Sequence, residues 1–393
     1  MGNNPERLFV KKVQFHGPLF PHEAIARITL SEKIPWRQRS DHLWLSTDDR
    51  PAPRGYLGKI TCDSKQVVRS FFRLRPPTIC ISTDSCPQDG DIVRLLPKTP
   101  AIEVLFESNS PHNALFLTPH CNCRCIMCPQ ELSSGSGTLT EINRRIIRLM
   151  APPPRQLAIT GGEPTLVPKD LLAILTDIKN FLPQTDVQIL TNARALKNRS
   201  LTREIAKIQN NRLLLGIPLY SDIDNIHDEI MGSKGAFHDT LEGLYNAALY
   251  RFPIELRVVV LKANAARLPD LADFIFRAIP FVIHVAFMGL EMRSAAELNM
   301  TKVWIEPQEF ADPLLHACKK IVRYGFPCSI FNLPLCVLPK ELWGLARQSI
   351  SLWKRVFLPQ CQGCTVKNHC GGVFGTGCKN PSSIAPIPDG FLS

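Results

Sequence analysis

The sequence predicts an α/β protein in three parts: a β-rich N-terminal domain over 1–110, a partial (β/α)6 barrel over 111–300, and a C-terminal cysteine-rich domain over 301–393. Three observations lead there. Between residues 111 and 300, strand-length apolar runs alternate with segments of helical periodicity. Before them, Pro, Gly and Asp break the chain into short β-type runs. After them the alternation stops, and cysteines gather near the end of the chain.

In the first part "ARITL", "HLWLS" and "DIVRLL" have strand length. The barrel runs are "NALFLT", "RQLAIT", "DVQILT", "RLLLGIPL", "ELRVVVL" and "HVAFMGL". Between them Leu139, Ile142, Ile146 and Leu149 recur at helical spacing, as do Leu171, Leu172, Leu175, Ile178 and Phe181, then Leu241, Leu244 and Ala247. Strand–helix repetition implies a parallel sheet covered by helices, because parallel neighbours need a long crossover. Six such repeats suit a partial barrel, with the chemistry carried by loops at the carboxyl ends of the strands. Beyond residue 300 only "FADPLLHACKKIVRYG" reads as a helix.

With 393 residues, 45% hydrophobic and 21% charged, the chain reads as an ordinary globular protein of more than one domain. It has no apolar run of the ~18 residues that a membrane span needs. "MGNNPERLFVKK" lacks the apolar stretch of a secretion signal, and Glu6 stands where a myristoylation signal wants Ser or Thr. The expected location is the cytoplasm. In a reducing cytosol, 14 clustered cysteines point to metal ligation and not to disulfides. Cys62, Cys80, Cys86, Cys318 and Cys328 lack ligand spacing and read as buried small hydrophobes. The net charge of +11 is spread along the chain without a basic block, so it reads as solvated surface, and a nucleic-acid partner is not expected.

The stretch "HCNCRCIMC" follows the first barrel strand, where a site loop belongs. Cys121, Cys125 and Cys128 stand in the order C-x3-C-x2-C. Three thiolates on one compact loop can hold three irons of a [4Fe–4S] cube and leave the fourth open to an external ligand. Zinc is the alternative, with Cys123 as fourth ligand, but its alternation with Cys121 and Cys125 makes convergence on one ion difficult. Cys123 itself reads as a bystander facing away.

This spacing resembles the radical S-adenosylmethionine (SAM) superfamily, and "AITGGEPTL" after the second strand resembles its GGE motif. The resemblance implies a catalytic [4Fe–4S] cluster on Cys121, Cys125 and Cys128, with SAM chelated at the open iron. It places Gly161, Gly162, Glu163 and Pro164 against the methionine moiety, with the glycines giving the ligand close approach. Met127 stands where many members have an aromatic residue flanking adenine. Thr191 and Asn192 at the third strand end, and Arg257 with Asn264 at the fifth, resemble polar contacts near the ribose; ordinary strand-end capping is the competing reading.

The tail "CQGCTVKNHCGGVFGTGC" is similar to the auxiliary-cluster domains of peptide-modifying radical enzymes, the SPASM and twitch domains. Two ligand sets are open: Cys336, Cys361, Cys364 and Cys370, which is preferred, or Cys361, Cys364, Cys370 and Cys378. A zinc ribbon is the alternative, since thiolate count does not separate zinc from iron–sulfur.

From "GDIVRLLP" through "IHDEIMGSKGAFHDTLEGLYNA" to "SISLWKRVFLPQC" the chain resembles the His-Xaa-Ser system maturases of the C type. Cys123 and Cys378 depart from that pattern. The resemblance implies a partial (β/α)6 radical SAM barrel and a peptide maturase. It also implies a precursor-peptide substrate, an electron donor of flavodoxin or ferredoxin type, and room for a partner radical maturase. Rival readings are a radical enzyme acting on RNA or a small molecule, and a non-catalytic iron–sulfur or zinc scaffold. A β-rich N-terminal domain could grip a leader peptide by strand addition.

Overall fold

The computed structural model describes residues 10–12, 14–16, 23–47, 50–62, 77–81, 86–96, 101–130, 139–208 and 212–388. Glu6 lies outside them. Two compact units emerge. The first comprises Met1–Leu117, Gly137–Ile159 and Ala173–Val187, and the second Thr118–Ser136, Thr160–Leu172 and Gln188–Ser393.

The first unit contains an eight-stranded sheet of β1 (Val10–Lys12), β2 (Gln14–His16), β3 (Ala24–Thr29), β4 (His42–Leu45), β5 (Gly58–Thr61), β6 (Thr78–Cys80), β7 (Ile92–Leu95) and β8 (Ala101–Phe106). The order is β1-β8-β7-β3-β4-β5-β6-β2, with parallel pairing from β3 to β6 and antiparallel pairing elsewhere. Its two end strands, β1 and β2, are separated in the chain by one residue. Ile28, Leu43, Ile60, Ile79 and Ile92 are fully buried in it. Lys59 is buried as well; its Nζ donates to the Arg50 carbonyl at 3.0 Å and lies over the Trp44 ring.

Cys62 and Cys86 are joined by a disulfide, not buried as separate thiols. Their separation of 24 residues is no ligand spacing, and only the fold brings their Cα atoms to 5.7 Å, inside the roughly 4.4–6.8 Å that a disulfide needs.

The second sheet is a curled half-barrel with strands in chain order, from β9 (Ala114–Phe116) through β10 (Gln156–Thr160), β11 (Asp186–Leu190), β12 (Leu213–Pro218), β13 (Ile254–Val259) and β14 (His284–Met288) to β15 (Cys328–Phe331). Helices α1 (Thr140–Leu149), α2 (Pro168–Phe181), α3 (Arg199–Ile208), α4 (Asp224–Met231), α5 (Ala236–Leu249) and α6 (Leu268–Ala278) fill the connections up to β14. The short α7 (Ala295–Leu298) and α8 (Met300–Val303) and the long α9 (Pro307–Arg323) precede β15. The expected periodicities coincide with α1, α2 and α5. In the second unit, Leu256 and Val258 of β13 are fully buried, as are Val285 and Phe287 of β14. Helix α9 begins with Pro307 and a capping box between Glu306 and Glu309.

A seventh strand, β15, was not expected. It has four residues, too few for a periodic signal, and is defined by its parallel register with β14, as in Ala286↔Ser329. The tail adds a two-stranded antiparallel sheet of β16 (Arg355–Val356) and β17 (Val373–Phe374). Among the described residues no helix is long and apolar enough to cross a membrane.

Candidate functional site

The cysteine loop forms no regular element and is held by backbone hydrogen bonds from several directions. The Gly162 N–H donates to the Thr118 carbonyl and the Glu163 N–H to that of His120, each at 2.6 Å. The N–H groups of Arg124 and Ile126 donate to Met231 and Ile230 at the end of α4, both at 3.0 Å. The Ala295 N–H reaches the Cys128 carbonyl at 3.2 Å. Two glycines are required by this closeness. A Cβ on Gly162 would stand 2.1 Å from the His120 carbonyl oxygen. A Cβ on Gly232, at φ +58°, would stand 2.1 Å from that of Arg124. The GGE glycines thus admit the cysteine loop itself, a tighter constraint than close approach to a ligand.

Cys121, Cys125 and Cys128 are partly buried. Cys123 is 3% exposed and does not face away: it packs with Met127, Tyr220 and Met231. Its sulfur accepts from Asn192 Nδ2 and Arg194 Nη1, both at 3.4 Å. The hydrogen bond with Cys121, aided by Arg194, pulls the Cys123 thiol down to about 7 against the effect of burial. The same bond and burial push Cys121 up. Burial, then the charges of Cys123 and Cys128, push Cys125 up.

Among the described residues no three His, Cys, Asp or Glu side chains are gathered to metal-ligating geometry. The donor chemistry nevertheless fits an iron–sulfur group. Thiolates crowded in a desolvated loop oppose one another, and a bound cationic centre reverses that opposition by holding them deprotonated.

Glu163 is 1% exposed, and both of its carboxylate oxygens accept hydrogen bonds within the protein. Oε1 accepts from the Thr165 N–H at 3.0 Å, the Thr165 hydroxyl at 2.5 Å and the Thr191 hydroxyl at 2.6 Å. Oε2 accepts from the Asn192 N–H at 2.6 Å. Burial raises its pKa while these donors oppose the rise. Three of these donors converge on Oε1 and one on Oε2, so Glu163 ties the β10 turn to the end of β11 while Oε2 keeps one acceptor site. Pro164 opens the short 3-10 turn that follows. Asn192 also donates to Asn122 Oδ1 at 2.7 Å.

Arg194, which no sequence signal marked, clamps this corner. It donates to the Asn122 carbonyl at 2.9 Å, to Ser233 Oγ at 2.8 Å and to Asp239 Oδ2 at 2.9 Å. Asn264 is occupied by backbone, donating to Tyr220 and Val259 carbonyls and accepting from Leu261, which is the capping role. Arg257 stands on β13, its buried Nε 3.4 Å from Glu255 Oε1 and without a hydrogen bond. Beside it Glu255 accepts from Gln188 at 3.1 Å and contacts His284 Nδ1 at 2.8 Å, while His284 Nε2 meets Ser329 Oγ at 3.0 Å. This polar row escaped the sequence reading because its members are far apart in the chain.

Tyr220, after β12, packs in the cluster that holds the cysteine loop. Its N–H donates at 3.2 Å to Nδ1 of His227, a fully buried ring whose Nε2 has no partner. Burial depresses the His227 pKa from 6.5 to about 4. As pH falls through that interval the unfolded chain takes a proton that the folded one refuses, so stability is lost on acidification, by about 3 kcal/mol at most. Urea midpoints at pH 7 and pH 4.5 should therefore fall more for the native protein than for His227→Gln; equal slopes would refute the assignment.

In the tail, Cys336, Cys361, Cys364 and Cys370 line one small pocket with Phe357, Val366 and other apolar residues. Backbone N–H groups point at the sulfurs: Leu335 and Gly372 at Cys370 (3.5 and 3.4 Å), and Ile387 at Cys364 (3.5 Å). N–H···S bonds of this kind stabilise thiolate ligands of iron–sulfur clusters. Cys378 is exposed and does not line the cavity; its N–H donates to the Met292 carbonyl at 2.8 Å.

Residues 115–275, which run from β9 into α6 and contain both the cysteine loop and the Gly161–Glu163 turn, match the sequence profile of the Radical SAM superfamily. That part of the chain is thus similar to the Radical SAM superfamily, a family that uses a [4Fe–4S] cluster and SAM. A probable GTP 3′,8-cyclase of Thermococcus kodakarensis is 32% identical over 163 residues, covering 40% of this chain and 50% of its own. The antilisterial bacteriocin subtilosin biosynthesis protein AlbA of Bacillus subtilis is 26% identical over 165 residues, covering 41% of this chain and 36% of its own. Among solved structures, SuiB of Streptococcus suis aligns with TM-score 0.44 and 16% identity over 55% of this chain and 48% of that one. The chain spans about half the length of the first curated relative and about a third of AlbA.

Proposed function

We propose that the protein is a radical SAM maturase that modifies a ribosomally made peptide, of the His-Xaa-Ser system C type. The observation that carries this reading is the pair of unlike cysteine sets in the second unit: three C-x3-C-x2-C thiols on a loop at the barrel, and four lining a separate cavity in the tail. A cluster on Cys121, Cys125 and Cys128, when bound, supplies the electron that cleaves SAM to the hydrogen-abstracting 5′-deoxyadenosyl radical. The chain's own part is positional. Glu163 ties the β10 turn to Thr191 and Asn192, Arg194 holds the loop at Asn122, and Met127 and Tyr220 belong to the cluster against which Cys121 and Cys125 pack. The tail set Cys336, Cys361, Cys364 and Cys370 offers full ligation and suits an auxiliary cluster. A flavodoxin or ferredoxin as electron donor, a second maturase as partner and a cytoplasmic location belong to the same reading.

The bacteriocin-biosynthesis name of AlbA supports a peptide substrate. A small-molecule reading has the GTP 3′,8-cyclase relative behind it. The two separate in one experiment. Anaerobically reconstituted protein is given SAM and dithionite with either the precursor peptide encoded beside its gene or GTP, and 5′-deoxyadenosine and substrate masses are followed. A mass change in the peptide and none in GTP is expected; the reverse would replace the proposal.

A further inference from the structure

Arg194 opens the 3-10 turn Arg194–Lys197 that follows β11, just after Ala193 in the left-handed region at φ +62°. Helix α5 fastens this turn. Thr240 Oγ1 donates to the Asn192 carbonyl at 3.0 Å, and Asn246 Nδ2 donates to the Leu196 and Lys197 carbonyls at 3.1 and 3.0 Å. The guanidinium is thereby aimed. Its Nη1 reaches the cysteine loop at two atoms, the Asn122 carbonyl at 2.9 Å and Cys123 Sγ at 3.4 Å, and also meets Ser233 Oγ at 2.8 Å. Cys123 in turn donates its N–H to Cys121 Sγ at 3.4 Å. One residue thus links the guanidinium to a sulfur of the proposed ligand set.

The charge at this corner has a direction. Arg194 turns Nη1 to the loop and Nε with Nη2 to Asp239 Oδ2, so the cation is nearer the loop than its carboxylate partner. Asp239 is also shared. Its Oδ1 faces Lys197 Nζ at 2.7 Å, so two cations and one carboxylate leave one net positive charge. The Arg194 side chain is only 13% exposed, which limits screening of its charge by solvent. The potential of an iron–sulfur cluster depends on nearby charge and on hydrogen bonds around its sulfurs, and a fixed cation favours the reduced, more negative state.

We propose that Arg194 is a positioning residue for the loop cluster, which fixes the Asn122–Cys123 segment and raises the cluster's reduction potential, with Asp239 opposing that rise. This rests on the reading of Cys121, Cys125 and Cys128 as the cluster's ligands, and iron content tests that reading separately.

Full-length native protein, Arg194→Gln, Arg194→Lys and Asp239→Asn are reconstituted anaerobically and titrated potentiometrically. The signal followed is the electron paramagnetic resonance that added SAM perturbs, which distinguishes the loop cluster from one in the tail. Both Arg194→Gln and Asp239→Asn loosen the clamp. Amide hydrogen exchange over residues 121–128 should therefore quicken in each, by about fivefold in Arg194→Gln, the effect of one lost hydrogen bond. Their charges change in opposite directions, and so should their potentials. Arg194→Gln should be harder to reduce by about tenfold, ~59 mV for one electron, Asp239→Asn should be easier to reduce, and Arg194→Lys should keep the native potential. Loosening alone does not move a potential both ways. Shifts of the same sign, or no shift in either variant, would overturn the proposal, as would unchanged exchange in Arg194→Gln. Asp239→Asn is isosteric and decides by itself if Arg194→Gln does not fold: a rise supports the proposal, and a fall or no change overturns it. Iron held in the tail alone by the native protein would sink the ligand reading and this proposal with it, whereas a loop cluster of unmoved potential sinks this proposal only.

Discussion

Replacing Cys125 with Ala should abolish 5′-deoxyadenosine formation, to below the detection limit of an assay in which the native protein turns over SAM. Cys125 is the middle thiol of the C-x3-C-x2-C loop, beside Met231 Sδ at 3.7 Å. Its removal leaves two thiols of the proposed set, and two thiols do not hold a cube with one iron turned outward. Cys123→Ala is the informative companion. Its sulfur is occupied by Asn192 and Arg194, so this variant should keep its iron and lose no more than about tenfold in rate, the equivalent of ~1.4 kcal/mol of loop positioning. Full cleavage in Cys125→Ala, or loss of iron in Cys123→Ala, would show that the ligand set is wrong.

The second large effect is in metal content. The fully reconstituted protein should carry roughly eight irons, two cubes of four. A variant with Ala at Cys121, Cys125 and Cys128 should keep about half of them, with visible absorption but no SAM cleavage. In that background Cys336→Ala should lower the remaining iron, because Cys336 lines the tail cavity, whereas Cys378→Ala should leave it unchanged, because Cys378 is exposed and held at Met292. One zinc and about four irons would instead assign the tail to a zinc ribbon, since four thiolates satisfy either centre.

Much of the barrel was legible because its signals are local. A helix buries residues three and four apart and a strand buries alternate ones, so α1, α2 and α5 announce themselves in Ile146, Leu175 and Leu244 without knowledge of their partners. The cysteine loop is local too: the C-x3-C-x2-C spacing is a property of eight consecutive residues, 121–128. Strand β15 was missed because four residues carry no period, and the Cys62–Cys86 disulfide because a gap of 24 residues looks like any other.

The sequence by itself determined the class of protein: an α/β half-barrel with a thiol loop after its first strand and a Gly-Gly-Glu turn after its second. What it left open were directions and partners. Only the tertiary structure decided that Cys123 turns inward to Arg194, that Glu163 spends its oxygens on Thr165, Thr191 and Asn192, and that Gly162 and Gly232 are there to let the cysteine loop pass. It likewise decided that Cys336 joins Cys361, Cys364 and Cys370 around one cavity while Cys378 stays outside. The reason is physical. Periodicity and ligand spacing are written in neighbouring residues, whereas a hydrogen bond between Arg194 and Asn122 depends on where separate strand ends arrive, and nothing in either local segment encodes that distance.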